Sequence, residues 1–281
     1  MATAKASRAK KTDNPPADTT RQLTSTQFLR TWRHYDTDGN GYIENDELDA
    51  FLKEMLSDHC GQEIDESLLA ASKAKFLAKY DQNYDGRISL EELAVILPTE
   101  ESFLLRFRGK INLSSVDFMQ IWRQYDEDRS GFIEADELKG FIRDLMLTNK
   151  EDISPQIIDD YEQTMLELFD VNHDGCLDLN ELAKVLPVEE NYILKLKGKK
   201  QLTRNEMTEF FQHYDQDNNG KISGAELMAL LRDMLQAEGK EPNFQEIKEF
   251  HQAILSLCDV NHDGMIDEAE LTLLLSPSAK K

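Results

Sequence analysis

The sequence predicts an all-α protein of six helix–loop–helix hands in three pairs, with short two-residue β-bridges between the loops of each pair. Three observations predict it. The pattern D-x-[DN]-x-[DNS]-G-x5-E occurs six times, beginning at Asp36, Asp81, Asp126, Asp170, Asp215 and Asp259. These starts lie 44 or 45 residues apart, the signature of an array of one supersecondary unit. Apolar residues at helical spacing flank each loop, as an amphipathic helix on either side requires.

In the first hand Phe28, Trp32 and Tyr35 precede the loop, and Leu48, Phe51, Leu52 and Met55 follow it. The loop offers the side chains of Asp36, Asp38, Asn40, Glu44 and Glu47, the carbonyl of Tyr42, and Gly41 at the bend. The second loop offers Asp81, Asn83, Asp85, Ser89 and Glu92, with the carbonyl of Arg87, around Gly86. The third hand has Phe118, Ile121, Trp122 and Tyr125 before its loop and Leu138, Phe141, Ile142 and Leu145 after it. Its candidate ligands are Asp126, Asp128, Ser130, Glu134 and Glu137 with the carbonyl of Phe132, and the serine hydroxyl at position five still supplies an oxygen. The fourth loop gives Asp170, Asn172, Asp174, Asp178 and Glu181 with the carbonyl of Cys176. In the fifth hand, Thr203 to Glu206 reads as a capping box for a helix carrying Phe210, Phe211 and Tyr214. Its loop gives Asp215, Asp217, Asn219, Ser223 and Glu226 with the carbonyl of Lys221, and Leu227, Leu230, Leu231 and Met234 follow. The sixth gives Asp259, Asn261, Asp263, Asp267 and Glu270 with the carbonyl of Met265.

A twelve-residue loop supplying oxygens from positions 1, 3, 5, 7, 9 and 12 around a glycine is the EF-hand, and the cation it suits is calcium. Glutamate stands at position 12 every time. A bidentate glutamate matches the larger calcium ion, whereas magnesium demands a tight octahedron. Position 8 is apolar throughout, as Ile43, Ile88, Ile133, Leu177, Ile222 and Ile266, which predicts that neighbouring loops exchange a β-bridge. Six calcium sites are therefore expected, in pairs one with two, three with four, and five with six. Loops two and five are expected to be the weaker. Each has three acidic ligands, serine at position 9 and a basic residue, Arg87 or Lys221, at position 7.

The expected division is a tail at 1–22, hands one and two at 23–99, a linker with hands three and four at 100–188, a linker with hands five and six at 189–275, and a tail at 276–281. The first tail is rich in Ala, Lys, Thr and Pro and is expected to be disordered. Proline ends the even-numbered exiting helices at Pro98, Pro187 and Pro277. The connectors Phe103 to Phe107 and Tyr192 to Leu196 are apolar for linkers and are expected to pack one pair on the next. That arrangement would give a single six-hand body.

The formal charge is −22, and twenty-two carboxylates stand at the candidate ligand positions. Six calcium ions would bring it to −10, so most of the acidity is site chemistry, and nucleic acid is not an expected partner. Cys60, Cys176 and Cys258 are few and widely spaced, which fits a reducing compartment. His34, His173, His213 and His262 stand off the ligand positions and read as solvated side chains. No apolar run approaches a membrane span, and the chain reads as a soluble intracellular monomer.

The connectors Leu97 to Leu105 and Leu186 to Leu194 follow the form Leu-Pro-x-Glu-Glu-x-[FY]-[LI]-Leu. With the segment Ser115 to Arg123 leading into Tyr125-Asp126, they resemble the hexa-EF-hand family of calbindin, calretinin and secretagogin over residues 23 to 275. The last hand, Cys258 to Gly264, is most similar to the secretagogin branch. The resemblance implies cytosolic calcium buffering and sensing, often in neurons or secretory cells, without catalysis. Familiar vertebrate members carry one or more degenerate loops, whereas all six are intact here. Methionine is 9 of 281 residues and the helix faces are Phe, Leu and Ile, so the composition favours a calcium buffer. The alternative is a sensor that exposes an apolar groove to calcium-dependent protein targets. Hands and linkers consume the chain, so no enzyme is expected.

Overall fold

Side chains that satisfy the first free N–H groups start the helices, and apolar stripes decide where they pack. The computed structural model describes residues 22–60, 65–151, 153–197, 199 and 202–275. Both expected tails, the side chain of Cys60, Gly198 and Pro277 fall outside them, apart from Gln22. Asp65, Ser114, Ser154, Thr203 and Asn243 each accept a backbone N–H at the start of the helix they precede. Thr203 and Glu206 form the expected capping box.

Hand one is α1 (Ser25–Tyr35) and α2 (Asn45–Cys60); hand two is α3 (Glu66–Tyr80) and α4 (Leu90–Ile96). A 3-10 turn, Phe103–Phe107, precedes hand three, formed by α5 (Ser115–Tyr125), β1 (Phe132–Glu134) and α6 (Ala135–Asn149). Hand four is α7 (Pro155–Phe169), β2 (Cys176–Asp178) and α8 (Leu179–Val185). The connector helix α9 (Tyr192–Leu196) leads to hand five, α10 (Arg204–Tyr214) and α11 (Gly224–Ala237), and hand six, α12 (Phe244–Cys258) and α13 (Glu268–Leu275).

The position-8 residues pair the loops as expected. Ile43 bridges Ile88 and Ile222 bridges Ile266, both antiparallel. Between hands three and four the ladder extends to three residues, Phe132 with Asp178, Ile133 with Leu177 and Glu134 with Cys176. A second tie closes pairs end to end: the Leu23 N–H donates to the Pro98 carbonyl, and the Leu113 N–H to that of Pro187.

The chain's contacts sort into two compact units. The first holds Tyr35–Pro98, that is, the loop and exiting helix of hand one with hand two. Its core joins Ile43, Leu48, Phe51, Leu52, Phe76, Ile88 and Leu93, with Tyr35 edge-on to Phe51 at 5.0 Å and its hydroxyl donating to Glu54 at 2.7 Å.

The second unit holds Thr24–His34, most of α1, with the chain from Thr99 onward. There one docking arrangement occurs twice. The α1 helix lies on α6, where Ser25 donates to Asp144 (2.6 Å), Tyr125 donates to the other Asp144 oxygen (2.6 Å), and Arg143 lies over the Phe28 ring. Helix α5 lies on α11 in the same way, with Ser115 and Tyr214 donating to Asp233 at 2.9 and 2.8 Å and Arg232 over Phe118. Burial pushes both aspartates up and both arginines down. The entering helix of one odd hand is thus clamped on the exiting helix of the next.

The connectors behave differently from the sequence reading. Each packs on the odd hand that follows it, and the clamps join successive odd hands. The Phe103–Phe107 turn lies on α5 and α6, with Ser102 donating to the Asp144 carbonyl at 3.0 Å. Helix α9 lies on α11, with Asn191 donating to the Asp233 carbonyl at 2.7 Å. The α9 placement also corrects the reading of His213, which is half-buried under Tyr192, stacked at 4.1 Å, and whose burial lowers its pKa. His34, His173 and His262 are exposed. Cys258 is buried, and no described helix is long and apolar enough to cross a membrane.

Candidate metal centres

The six loops share one hydrogen-bond scheme. The position-1 aspartate accepts the glycine N–H at position 6: Asp36 from Gly41 (3.2 Å), Asp81 from Gly86 (2.9 Å), Asp126 from Gly131 (3.5 Å), Asp170 from Gly175 (2.9 Å), Asp215 from Gly220 (3.0 Å) and Asp259 from Gly264 (2.9 Å). Position 3 accepts from the position-5 N–H, through Asp38, Asn83, Asp128, Asn172, Asp217 and Asn261. Position 5 accepts from position 7, through Asn40, Asp85, Ser130, Asp174, Asn219 and Asp263. These bonds fold successive ligand residues around one centre and leave carboxylate and amide oxygens with further lone pairs for a cation.

The glutamate at position 12 closes each loop. One oxygen accepts the N–H of position 2 and the other that of position 9: Glu47 from Thr37 and Glu44, Glu92 from Gln82 and Ser89, and Glu137 from Glu127 and Glu134. Glu181, Glu226 and Glu270 repeat this with Val171 and Asp178, Gln216 and Ser223, and Val260 and Asp267. Position 9 has a second task that spacing alone did not disclose. Ser89, Asp178 and Asp267 cap the exiting helix, accepting the N–H of Glu92, Glu181 and Glu270.

In the odd loops three carboxylates converge with ligand oxygens within 4.8 Å of one another: Asp36, Asp38 and Glu47; Asp126, Asp128 and Glu137; Asp215, Asp217 and Glu226. In the even loops asparagine at position 3 replaces one of these charges. Asp36 Oδ1 and Asp126 Oδ2 are buried without a hydrogen-bond donor among the described residues. A buried, unpaired carboxylate oxygen is costly unless a cation pairs with it. The donor set, carboxylates with amide and hydroxyl oxygens, fits a hard ion such as calcium. Burial pushes Asp36, Asp126 and Glu226 up, and raises Glu137 to about 7.

The position-7 side chains of Arg87, Cys176 and Lys221 reach across to the partner loop. Arg87 lies over the Tyr42 ring and 3.5 Å from Glu44 of loop one, and Cys176 donates to Glu134 of loop three at 3.5 Å. Burial, and then that contact, push the Cys176 thiol up to about 11. Lys221 of loop five pairs with Asp263, the position-5 aspartate of loop six. Replacing Lys221 by methionine should therefore tighten calcium binding in loop six by about two- to fivefold at low salt, an effect that 0.5 M salt, where the Debye length falls to about 4 Å, should largely erase. The calcium midpoint of the Gly264 amide resonance measures it; an unchanged midpoint at low salt contradicts the competition.

The comparisons with known proteins agree with this geometry. An EF-hand domain pair model matches residues 26–96, 116–187, 162–232 and 204–276. Calbindin-32 of Drosophila melanogaster is 43% identical over 278 residues, covering 95% of this chain and 90% of that protein. Calretinin of Homo sapiens is 42% identical over 272 residues (93% and 95%), and secretagogin of Danio rerio 41% over 259 residues (90% and 95%). With EF-hand pairs matched along the chain and these identities over most of its length, the chain belongs to the calbindin, calretinin and secretagogin family of calcium-binding EF-hand proteins.

Proposed function

We infer that the protein is a cytoplasmic calcium buffer in which all six loops bind the ion, each through its side chains at positions 1, 3, 5 and 12, the position-7 carbonyl, and position 9 directly or through water. When bound, calcium supplies positive charge to a ring of carboxylates. The chain's own contribution is to hold that ring in shape through the position-12 glutamate, which ties both ends of the loop together. The weaker loops on this reading are two and five, with the cation of Lys221 acting on loop six as well.

One observation supports buffering over target capture: the connectors Phe103–Phe107 and Tyr192–Leu196 already lie on the exiting helices of hands three and five. A sensor opens its helix pairs to present an apolar groove, and here the chain's own segments cover those helices. Trp32 and Trp122, both buried, report the difference. Calcium should change their emission modestly, with little gain in acrylamide quenching or in binding of a hydrophobic dye. A coordinated rise in quenching and dye binding over a narrow micromolar range would replace the buffer reading with the sensor one.

A further inference from the structure

The glycine bend of loop three differs from those of loops two, four, five and six in having another hand built against it. A Cβ on Gly86, Gly175, Gly220 or Gly264, the position-6 glycines of loops two, four, five and six, would meet nothing within 4 Å. A Cβ on Gly131 would stand 3.2 Å from Phe244 Cδ1 and 3.3 Å from Phe244 Cβ. Phe244 opens α12, the entering helix of hand six, and its ring also lies 5.7 Å from that of Trp122 in α5. One turn further along α12, Lys248 donates to the carbonyl of Arg129 in loop three at 2.9 Å, with its ammonium 4.3 Å from the Phe244 ring centroid. The bond that holds the bend of this loop, Gly131 N–H to Asp126, is the longest of the six at 3.5 Å.

The opposite end of α12 carries loop six. Its C-cap is Asp259, the first candidate ligand there. Helix α12 is therefore a 15-residue rod with one calcium loop growing from its C-terminus and a different hand's loop clamped by its N-terminus. A rigid element seated on two sites carries coupling between them if binding at one end fixes its position at the other. Ordering α12 once, when loop six fills, leaves less to order when loop three fills, which makes the coupling positive.

We propose that α12 makes Phe244 and Lys248 positioning residues of loop three and couples calcium binding in loop six to calcium binding in loop three, across two different pairs. The proposal rests on the reading that both loops bind calcium. Linkage then requires reciprocity: filling loop three strengthens loop six by the same factor.

The test uses the full chain carrying Trp32→Phe, so that Trp122 is the sole indole, with the Gly131 and Gly264 amide resonances reporting each loop during calcium titration. Silencing loop six with Glu270→Gln should move the Gly131 midpoint to at least about threefold higher calcium, and Glu137→Gln should move the Gly264 midpoint by the same factor. In the Glu137→Gln chain, where loop three is silent, calcium should still shift Trp122 emission, and adding Glu270→Gln should remove part of that shift. Phe244→Ala, and the milder Lys248→Met that keeps the apolar stem, should each shrink the effect of Glu270→Gln on Gly131. A Gly131 midpoint unmoved by Glu270→Gln, with unchanged circular dichroism, overturns the coupling alone. A parent chain whose Gly131 or Gly264 resonance ignores calcium removes the proposal together with the function beneath it.

Discussion

Replacing Asp233 by alanine is expected to lower the unfolding free energy of the second unit by about 3–5 kcal/mol. Asp233 is fully buried and receives hydrogen bonds from Ser115 and Tyr214 while standing beside the buried Arg232 guanidinium. Alanine would leave two buried hydroxyls without an acceptor and the arginine without its counter-charge, and a buried charge that loses its partner is among the more damaging changes a core can suffer. The Nε of Arg232 is buried and has no hydrogen-bond partner among the described residues. The equivalent change at Asp144 should act in the same direction by undoing the clamp of α1 on α6. Urea unfolding of the calcium-loaded chain measures both. A loss under about 1 kcal/mol, in the range of ordinary surface substitutions and milder core changes, would show that the aspartates are incidental to the docking.

A methyl group at Gly140 is expected to have the next largest effect. Its Cβ would stand 2.5 Å from Thr26 Oγ1 and 2.9 Å from the Thr26 backbone nitrogen and Cα. The hydroxyl can rotate away, but the backbone of α1 cannot yield without shifting the helix. Gly140→Ala should therefore cost about 1–3 kcal/mol through overpacking and weaken the Ser25–Asp144–Arg143 contacts. The repeat supplies the control. Helix α11 carries the fully buried Ala229 at the corresponding place, so its contact with α5 already accommodates a methyl. Unfolding midpoints, with Trp32 emission as a local report of α1, measure the effect. Unchanged stability and unchanged emission would mean that α1 and α6 lie further apart than described.

The geometry of the loops was legible in the sequence because every residue of each lies within twelve positions. Their hydrogen bonds join residues two to ten apart, so spacing and residue type nearly determine the local geometry. The β-bridges were legible for a similar reason, as Ile43, Ile88, Ile222 and Ile266 recur at one loop position. The clamps were not. Ser25 and Asp144 are 119 residues apart, as are Lys248 and the Arg129 carbonyl, and a serine, an aspartate or a lysine on a helix does not announce a buried partner in another hand. The repeat itself was the signal that could have found them: Ser25, Phe28 and Tyr35 return as Ser115, Phe118 and Tyr125, and Arg143-Asp144 returns as Arg232-Asp233. The connectors were read correctly as packed segments, but their direction depends on Ser102 and Asn191 reaching carbonyls of the following hand, which composition does not reveal. His213 was misread because its neighbour in space, Tyr192, belongs to the connector and lies 21 positions away.

The account rests most directly on the number of calcium ions the intact chain holds. Isothermal titration of calcium-free protein, with native mass spectrometry of the saturated form, gives that number independently of affinity order or of any shape change. Six intact ligand sets, each closed by its own position-12 glutamate, predict saturation at six ions per chain. A plateau below six in millimolar calcium would contradict it, and show that a loop with every ligand type in place still fails to hold the ion.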